Sequence, residues 1–250
     1  VIRMFDAFTI VAISLTFIIA GGVKGLIGLG LPSISLGLLT ATFDLTTAMA
    51  LMIAPSFFTN AYQAISGGNA FIILVRIWPF LLTATTTVLL GATALTRVDL
   101  NILTALLGLL LIAYGGLNLA GIRFKIASYA ELWMGLVLGA INGVLTGMTG
   151  SYAVPAVIFL QCIGLPRDML IQAMGILFAA SSVTLAFALG INAVLTVQLG
   201  IASFFAVVPA LVGMWIGQKL RLGLSEEQFR KALFIGLILL GGYILGVALV

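Results

Sequence analysis

Long apolar tracts, each near the length of a membrane-crossing helix, follow one another along almost the whole chain. They lie at about residues 7–40, 45–65, 70–95, 100–120, 129–163, 169–189, 193–218 and 229–249. Most run for roughly 20 residues, the length that crosses the hydrocarbon core of a bilayer as an α-helix, whereas a barrel strand needs only about ten. The tracts therefore predict an all-α polytopic membrane protein with about eight hydrophobic helical segments, located in the plasma or inner membrane.

Composition excludes a water-soluble fold and most catalytic chemistry. Of the 250 residues, 62% are hydrophobic and 7% are charged, whereas a soluble domain has about 25% charged residues. The chain has no histidine and a single cysteine, Cys162, which excludes histidine-dependent catalysis, cysteine-cluster metal sites and an intramolecular disulfide. No acidic residue falls inside a tract, so a carboxylate proton relay has no obvious members. We expect no enzymatic activity, no metal and no cofactor.

The first and fifth tracts are anomalous because each runs for about 34 residues, near 50 Å as a straight helix. Each contains a cluster of glycines and a proline: residues 21–32 read GGVKGLIGLGLP, and residues 139–155 read GAINGVLTGMTGSYAVP. Glycine and proline interrupt helices, and irregular backbone at membrane depth is tolerated only inside protein or beside a wet cavity. We therefore predict that both tracts are broken or re-entrant hairpins of two half-helices, with new helices starting near Ser33 and Ser151.

Several segments recur in order in the two halves of the chain. Residues 48–56 resemble residues 173–181, and residues 25–27 resemble residues 143–145, which pairs Lys24 with Asn142. We predict two inverted repeats of four segments each, residues 1–121 and 122–250, within one membrane domain, as in many secondary transporters.

The distribution of positive charge favours the hairpins. If the first and fifth tracts each return to the side from which they entered, only Arg3 and Arg97 lie on one side of the membrane. The other side then holds Arg76, Arg123, Lys125, Arg167, Lys219, Arg221, Arg230 and Lys231. An excess of this kind marks the cytoplasmic side, so both termini are predicted to lie outside the cytoplasm. A full crossing followed by a re-entrant stub stays open as an alternative.

The two glycine-rich stretches predict an anion-binding site. Glycines allow close approach of the backbone, the N-termini of the new half-helices offer free N–H groups, and Lys24 supplies a full positive charge. The predicted substrate-binding residues are Lys24, Gly25, Gly28, Gly30, Ser33, Asn142, Gly143, Thr146, Gly147, Gly150, Ser151 and Tyr152. Secondary candidates on the second and sixth tracts are Ser56, Asn60, Gln172, Ser181 and Ser182. The alternatives are that the glycines serve only helix packing and that the lysine reaches the headgroups.

The motif VKGLIGLG at residues 23–30, followed after the midpoint by GVLTGMTG at residues 143–150 and Pro155, resembles the sulfite exporter TauE/SafE family, also called the 4-toluene sulfonate uptake permease family. The resemblance covers nearly the whole chain. The first repeat departs from the family pattern, with Gly30-Leu31 where a double glycine is expected. The resemblance implies transport of small sulfur-containing or organic anions, such as sulfite or sulfonates.

These observations predict a secondary carrier or facilitator, and export fits the energetics. An inside-negative membrane potential drives an anion outward with about 2.3 kcal/mol per charge per 100 mV. The expected partners are a small anion and the lipid bilayer, while a homo-oligomer stays open. Nucleic acid is not expected, because the net charge of +4 comes from short loops. An anion channel and a non-transporting scaffold subunit are the alternative functions.

Overall fold

A computed structural model describes residues 6–121, 125–220 and 226–249, with only the backbone at Glu226. Within these ranges the chain is helical and no strand occurs. The helices are α1 Ala7–Ile27, α2 Leu31–Thr42, α3 Leu45–Ile65, α4 Ala70–Thr86, α5 Val88–Ala92, α6 Leu100–Ala120, α7 Glu131–Thr149, α8 Ala156–Cys162, α9 Arg167–Ile191, α10 Val197–Phe205, α11 Val207–Leu220 and α12 Glu226–Ala248.

Seven helical stretches of the described residues are long and apolar enough to cross a membrane. They contain α1, α4 with α5, α6, α7, α9, α10 with α11, and α12. Helix α3 is as long as α1, at 21 residues, but it carries more polar side chains. The prediction of a polytopic all-α membrane protein is confirmed.

Aspartates begin three of the helices. The side chains of Asp6, Asp44 and Asp99 accept hydrogen bonds from the backbone N–H groups of Thr9, Thr47 and Asn101, at 3.0, 2.8 and 2.8 Å. A carboxylate in this position satisfies a donor that the first helical turn leaves free, and it complements the positive end of the helix dipole. These three aspartates at the ends of the tracts are therefore helix caps.

Both long tracts are broken, as predicted. Gly28 directly follows the end of helix α1 and Gly30 directly precedes α2, and both glycines have positive φ, 82° and 104°. Gly150 follows the end of helix α7 in the same way, with φ 74°. Helix α2 starts at Leu31, two residues before the predicted Ser33, because Pro32 is tolerated in a first helical turn.

The second new helix starts later than predicted. We expected it to begin near Ser151, but α8 begins at Ala156. Residues 150–155 are irregular because Pro155 disfavours helical backbone in the residue before it. The limbs of each hairpin are also unequal: α1 has 21 residues and α2 has 12, while α7 has 19 and α8 has 7. The first limb is about 30 Å long in both hairpins, the length of a full crossing rather than a half-helix.

Each broken tract turns back toward the end of the bundle where it began. Arg76 binds Glu131, the first residue of α7, at 2.7 Å and the carbonyl oxygen of Ile163, just after α8, at 2.7 Å. The start of α7 and the end of α8 are therefore neighbours. In the first tract, α2 runs beside α12 in the same direction, since Gly30 lies near Leu233 and Gly37 near Leu240.

Six of the eight cations that were predicted to share one side of the membrane lie at one end of the bundle, called here the basic end. Ile27, at the end of α1, lines a cavity there with Lys125, Arg167 and Arg230. Arg76 also lies at this end, because its guanidinium donates a hydrogen bond to the backbone oxygen of Ile163. Lys231 lies there because it directly follows Arg230. Lys219 lies in the last turn of α11, which runs parallel to α1, because Gly21 lies beside Met214 and Gly25 beside Gln218. Arg97 lies at the opposite end, whereas Arg3, Arg123 and Arg221 lie outside the described residues. Which end faces the cytoplasm stays a prediction.

The long helices pack in pairs that join the two halves of the chain. Helix α1 packs along α11, α7 along α4 and α5, α3 on α9, and α6 on α12. If each helix is replaced by its counterpart in the other half, the pair of α1 with α11 becomes the pair of α7 with α5, and the pairs α3–α9 and α6–α12 stay the same. A two-fold axis between the halves requires this pattern. The repeats at residues 1–121 and 122–250, and their inverted orientation, stay predictions.

The predicted pairing of Lys24 with Asn142 is one helical turn out of register. Gly28 and Gly150 end α1 and α7 in the same way, each donating its N–H to the carbonyl four residues earlier, of Lys24 and Thr146. Lys24 therefore corresponds in position to Thr146. The two registers are easily confused because glycines recur every four residues in both helices, so each register aligns Gly21 and Gly25 with glycines of α7, but only the structural one also aligns Gly28 with Gly150.

Candidate functional site

Lys24 is the buried charge around which the candidate site is built. It lies on α1 one turn before the break, and only 4% of it is exposed. Its ammonium donates a hydrogen bond to Oδ1 of Asn60 on α3. Among the described residues no carboxylate forms an ion pair with it. The positive charge is thus surrounded by protein and met by a neutral amide.

Asn60 is held in one orientation by its other hydrogen bonds. Its Nδ2 donates to the backbone oxygen of Ser56 at 2.8 Å and to the Ser56 hydroxyl at 3.1 Å. Since Nδ2 is used on α3 itself, Oδ1 points to Lys24. Ser56 and Asn60 are both fully buried, so α3 contributes a fixed polar stripe next to the lysine.

Tyr152 extends this polar cluster to the second hairpin and to α9. Its hydroxyl lies 3.3 Å from the Ser182 hydroxyl and interacts with the Ser56 side chain. Its ring lies 5.7 Å from that of Phe178, which fixes its position. Lys24, Asn60, Ser56, Tyr152 and Ser182 therefore form a continuous buried chain, called here the central cluster, across α1, α3, α9 and the irregular segment after α7.

Two predicted residues carry buried polar atoms without a hydrogen-bond partner, Nδ2 of Asn142 and Oγ of Ser181. Ser181 directly precedes Ser182 of the central cluster. The Asn142 Oδ1 accepts the N–H of Ala156 at 3.2 Å and so caps the start of α8, while its Nδ2 stays available as a donor. Buried polar groups are normally satisfied, so these two atoms offer hydrogen-bonding capacity that the described protein does not use.

Three of the predicted glycines face neighbouring helices. A Cβ at Gly25 would lie 2.8 Å from the backbone nitrogen of Gln218 on α11. A Cβ at Gly143 would lie 2.5 Å from the oxygen of Ala84, and one at Gly147 would lie 2.5 Å from the nitrogen of Ala92. These positions are occupied by close backbone packing, as in small-residue contacts of membrane helices. Gly28, Gly30 and Gly150 instead form the turns.

Several predicted hydroxyl and amide groups are used within the scaffold. Thr146 donates to the oxygen of Ser151 at 3.0 Å, and the N–H of Ser151 donates to the Thr149 hydroxyl at 3.2 Å. Gln172 donates to the oxygen of Ala64 and accepts from the N–H of Asn69. These groups fasten the second break and the connection between α3 and α4. Ser33 lies buried in the first turn of α2.

The two breaks do not face each other. The first contacts Ile171, in the first turns of α9 at the basic end, whereas Gly150 lies near Met49, in the first turns of α3 at the opposite end. The predicted anion site is therefore not formed by the two glycine-rich breaks facing each other. The central cluster lies between the breaks and is built mainly from side chains.

Ser203 on α10 was missed by the sequence reasoning. Pro55 interrupts the hydrogen bonding of α3 because it has no N–H to offer the carbonyl of Leu51. The Ser203 hydroxyl donates to that carbonyl at 2.9 Å and accepts the N–H of Ala54 at 3.0 Å. The proline pointed to a free carbonyl, but only the fold shows which side chain satisfies it.

A cavity of about 620 Å³ opens at the basic end and was also not predicted. Lys125, Arg167 and Arg230 line it together with polar side chains of Asn118 and Gln161. The sequence reasoning used these cations only to orient the chain. In the described ranges no group of three or more histidine, cysteine or acidic side chains could hold a metal ion.

Comparison with known proteins gives one result. The family model described as Sulfite exporter TauE/SafE matches residues 13–244. No curated protein and no solved structure matches the chain.

Proposed function

The chain belongs to the sulfite exporter TauE/SafE family, which makes it a multi-pass membrane transporter of the sulfur-anion exporter type, and we propose that its anion binds at Lys24. The proposed substrates are small sulfur-containing or organic anions, such as sulfite or sulfonates. In this proposal Asn60, Ser56, Tyr152 and Ser182 surround the anion. Asn142 and Ser181 add the two donors that lack partners.

The observation that carries the proposal is the uncompensated charge of Lys24. Removing an ammonium group from water costs several kcal/mol when no opposite charge accompanies it. A neutral amide oxygen offsets only part of this cost. An oxyanion beside Lys24 supplies the missing charge and can accept hydrogen bonds from the surrounding hydroxyl and amide groups.

Binding between two hairpins suits a carrier. The central cluster draws side chains from both halves of the chain, so a relative movement of the halves would open it to one side of the membrane and then to the other. We propose export as the direction, because an inside-negative potential drives an anion outward without a coupled ion.

The first experiment is a thermal-shift screen of the purified protein with sulfite, sulfate, thiosulfate, taurine and sulfoacetate. An anion that binds only the folded protein raises its melting temperature. We expect stabilisation by at least one sulfur oxyanion, and a clearly smaller rise in melting temperature in Lys24→Met, which removes the charge while keeping an unbranched side chain. Lys219→Met is the matched control, because Lys219 is exposed and stacks on Trp215 at 3.7 Å from the ring centroid.

The second experiment measures anion flux in proteoliposomes under an imposed potential. The proposal predicts saturable flux that follows the potential in the wild type and in Lys219→Met, and falls at least tenfold in Lys24→Met. Non-saturating flux would indicate a channel. If no anion either stabilises the protein or crosses the membrane, the protein serves as a scaffold and the proposal is wrong.

A further inference from the structure

We propose that the basic cavity is a second anion site, which captures the oxyanion before it reaches Lys24. This site is called here the capture site. The proposal rests on the proposed function of Lys24 as the inner site, but it concerns different residues. Lys125, Arg167 and Arg230 come from three separate segments and converge on this one cavity.

The charged side chains that line the capture site in the described chain are three cations, with no carboxylate among them. Asp168 adjoins Arg167 in the first turn of α9 and Glu227 lies three residues before Arg230, so the field at the cavity is positive on balance. Helix α9 also begins at the cavity, with Arg167 as its first residue, so the positive end of a 25-residue helix adds to the field. A cleft lined by charges of one sign raises the local concentration of counter-ions and speeds their association.

The size of the cavity suits a hydrated or substituted oxyanion. Its volume of about 620 Å³ falls in the usual range for small-molecule sites and leaves room for water around a small anion. The side chains of Gln161 and Asn118 supply neutral polar contacts. A site of this kind holds anions by charge and hydration and needs little selectivity among sulfur oxyanions.

Apolar side chains line the capture site on the segments that also carry the central cluster, and in this proposal they are the floor between the cavity and Lys24. Ile27, Ile171 and Met174 line the cavity, and each belongs to a segment next to the central cluster. Ile27 precedes the break at Gly28, and Ile171 lies 3.5 Å from where a Cβ of Gly28 would stand. Lys24 is only 4% exposed behind this floor. An anion therefore occupies the two sites in sequence, with a movement of the floor between them.

A binding measurement separates the capture site from the inner site. Sulfate is added to purified Lys24→Met, whose inner site lacks its charge, at constant ionic strength set with chloride. We expect a residual rise in melting temperature, lost in Lys24→Met/Arg230→Gln and kept in Lys24→Met/Lys231→Gln. Lys231 is the matched control, because it is the next residue, carries the same charge and pairs with Glu227 at 2.9 Å outside the cavity lining. No residual rise in a folded Lys24→Met protein would overturn the proposal.

A flux measurement tests the same site in the wild-type background, so it does not depend on the folding of Lys24→Met. Sulfite is supplied from the basic end in vesicles of known orientation. Loss of one nearby charge should raise the half-saturation concentration about fivefold in Arg230→Gln, with an unchanged maximal rate and a weaker dependence on ionic strength. Lys231→Gln should behave as the wild type.

The outcomes distinguish the two proposals. The capture-site proposal is overturned if Arg230→Gln keeps the wild-type half-saturation concentration, or if Arg230→Gln and Lys231→Gln change it equally. Neither result would affect the proposal that the anion binds at Lys24. Sulfate binding that depends on Arg230, in a protein that transports no anion, would support the capture site and overturn the proposed function.

Discussion

Substitution of Gly147 by alanine separates helix packing from anion binding at a glycine of the family motif. A Cβ at this position would lie 2.5 Å from the backbone nitrogen of Ala92 and 2.8 Å from the backbone carbon of Gly91, whereas ordinary contact begins at 3.4 Å. Backbone atoms cannot rotate away as a side chain can. The backbone oxygen of Val88 would lie closer still, so helices α7 and α5 would have to separate by more than 0.9 Å, the difference between 3.4 and 2.5 Å.

The expected loss of stability follows from two opposing contributions. Overpacking of a close contact costs about 1–3 kcal/mol, and the upper value applies because only backbone is present to give way. Alanine regains about 1 kcal/mol of helix propensity over glycine. The net loss is about 2 kcal/mol, which lowers the melting temperature by roughly 4–8 °C in a chain of this size.

The assay is the thermal unfolding of the purified protein, with and without the stabilising anion. Gly147→Ala should melt lower in both conditions and keep the rise that the anion produces. The control is Gly236→Ala on α12, where a Cβ would meet nothing within 4 Å, so its melting temperature should be unchanged or higher. Unchanged melting of Gly147→Ala together with a lost anion response would refute the packing assignment and make Gly147 a lining residue.

Two further predictions concern helix α3. Ser203→Ala should lower the free energy of unfolding by about 1–3 kcal/mol, because it leaves the Leu51 carbonyl without a donor. The loss should be smaller in a Pro55→Ala background, because residue 55 then offers its own N–H to Leu51. Equal losses in the two backgrounds, measured by thermal unfolding, would contradict this. Burial raises the pKa of Asp44, but hydrogen bonds from two neighbouring threonines outweigh this effect and hold the pKa below its ordinary value. Its stabilising contribution is therefore present above the unfolded pKa and is lost as pH falls through the folded pKa. Asp44→Ala should lower stability by about 1 kcal/mol at pH 7, and the difference from wild type in melting temperature should narrow as the pH falls below the ordinary aspartate pKa of 3.8.

The breaks in the chain could be predicted because their signals are local. A tract too long for one crossing, with glycines and a proline in its middle, must bend or leave the membrane. The role of each glycine could not be predicted in the same way. Gly147 and Gly150 are three residues apart, yet one packs against α5 and the other adopts a positive φ. Only the neighbouring helix decides between these roles.

The members of the candidate sites could be predicted only where one residue is chemically exceptional. Lys24 stands out in its tract, but its partner Asn60 is 36 residues away, and sequence reasoning placed it among the secondary candidates. The cations of the basic cavity are ordinary loop and helix-end residues taken singly. Their significance comes from their convergence, which depends on how the halves of the chain pack.

The two hairpins are anchored differently, although Lys24 and Thr146 hold corresponding positions. In the second hairpin, Thr146 fastens its own irregular segment, Asn142 caps α8, and Arg76 joins the two ends. In the first hairpin, the corresponding residue is Lys24, whose side chain bonds to α3 instead of to its own turn. That turn is formed by Gly28 and Gly30. A single lysine also avoids the repulsion between two buried like charges. We therefore expect the first hairpin to move when an anion reaches Lys24, and the second to serve as the fixed support.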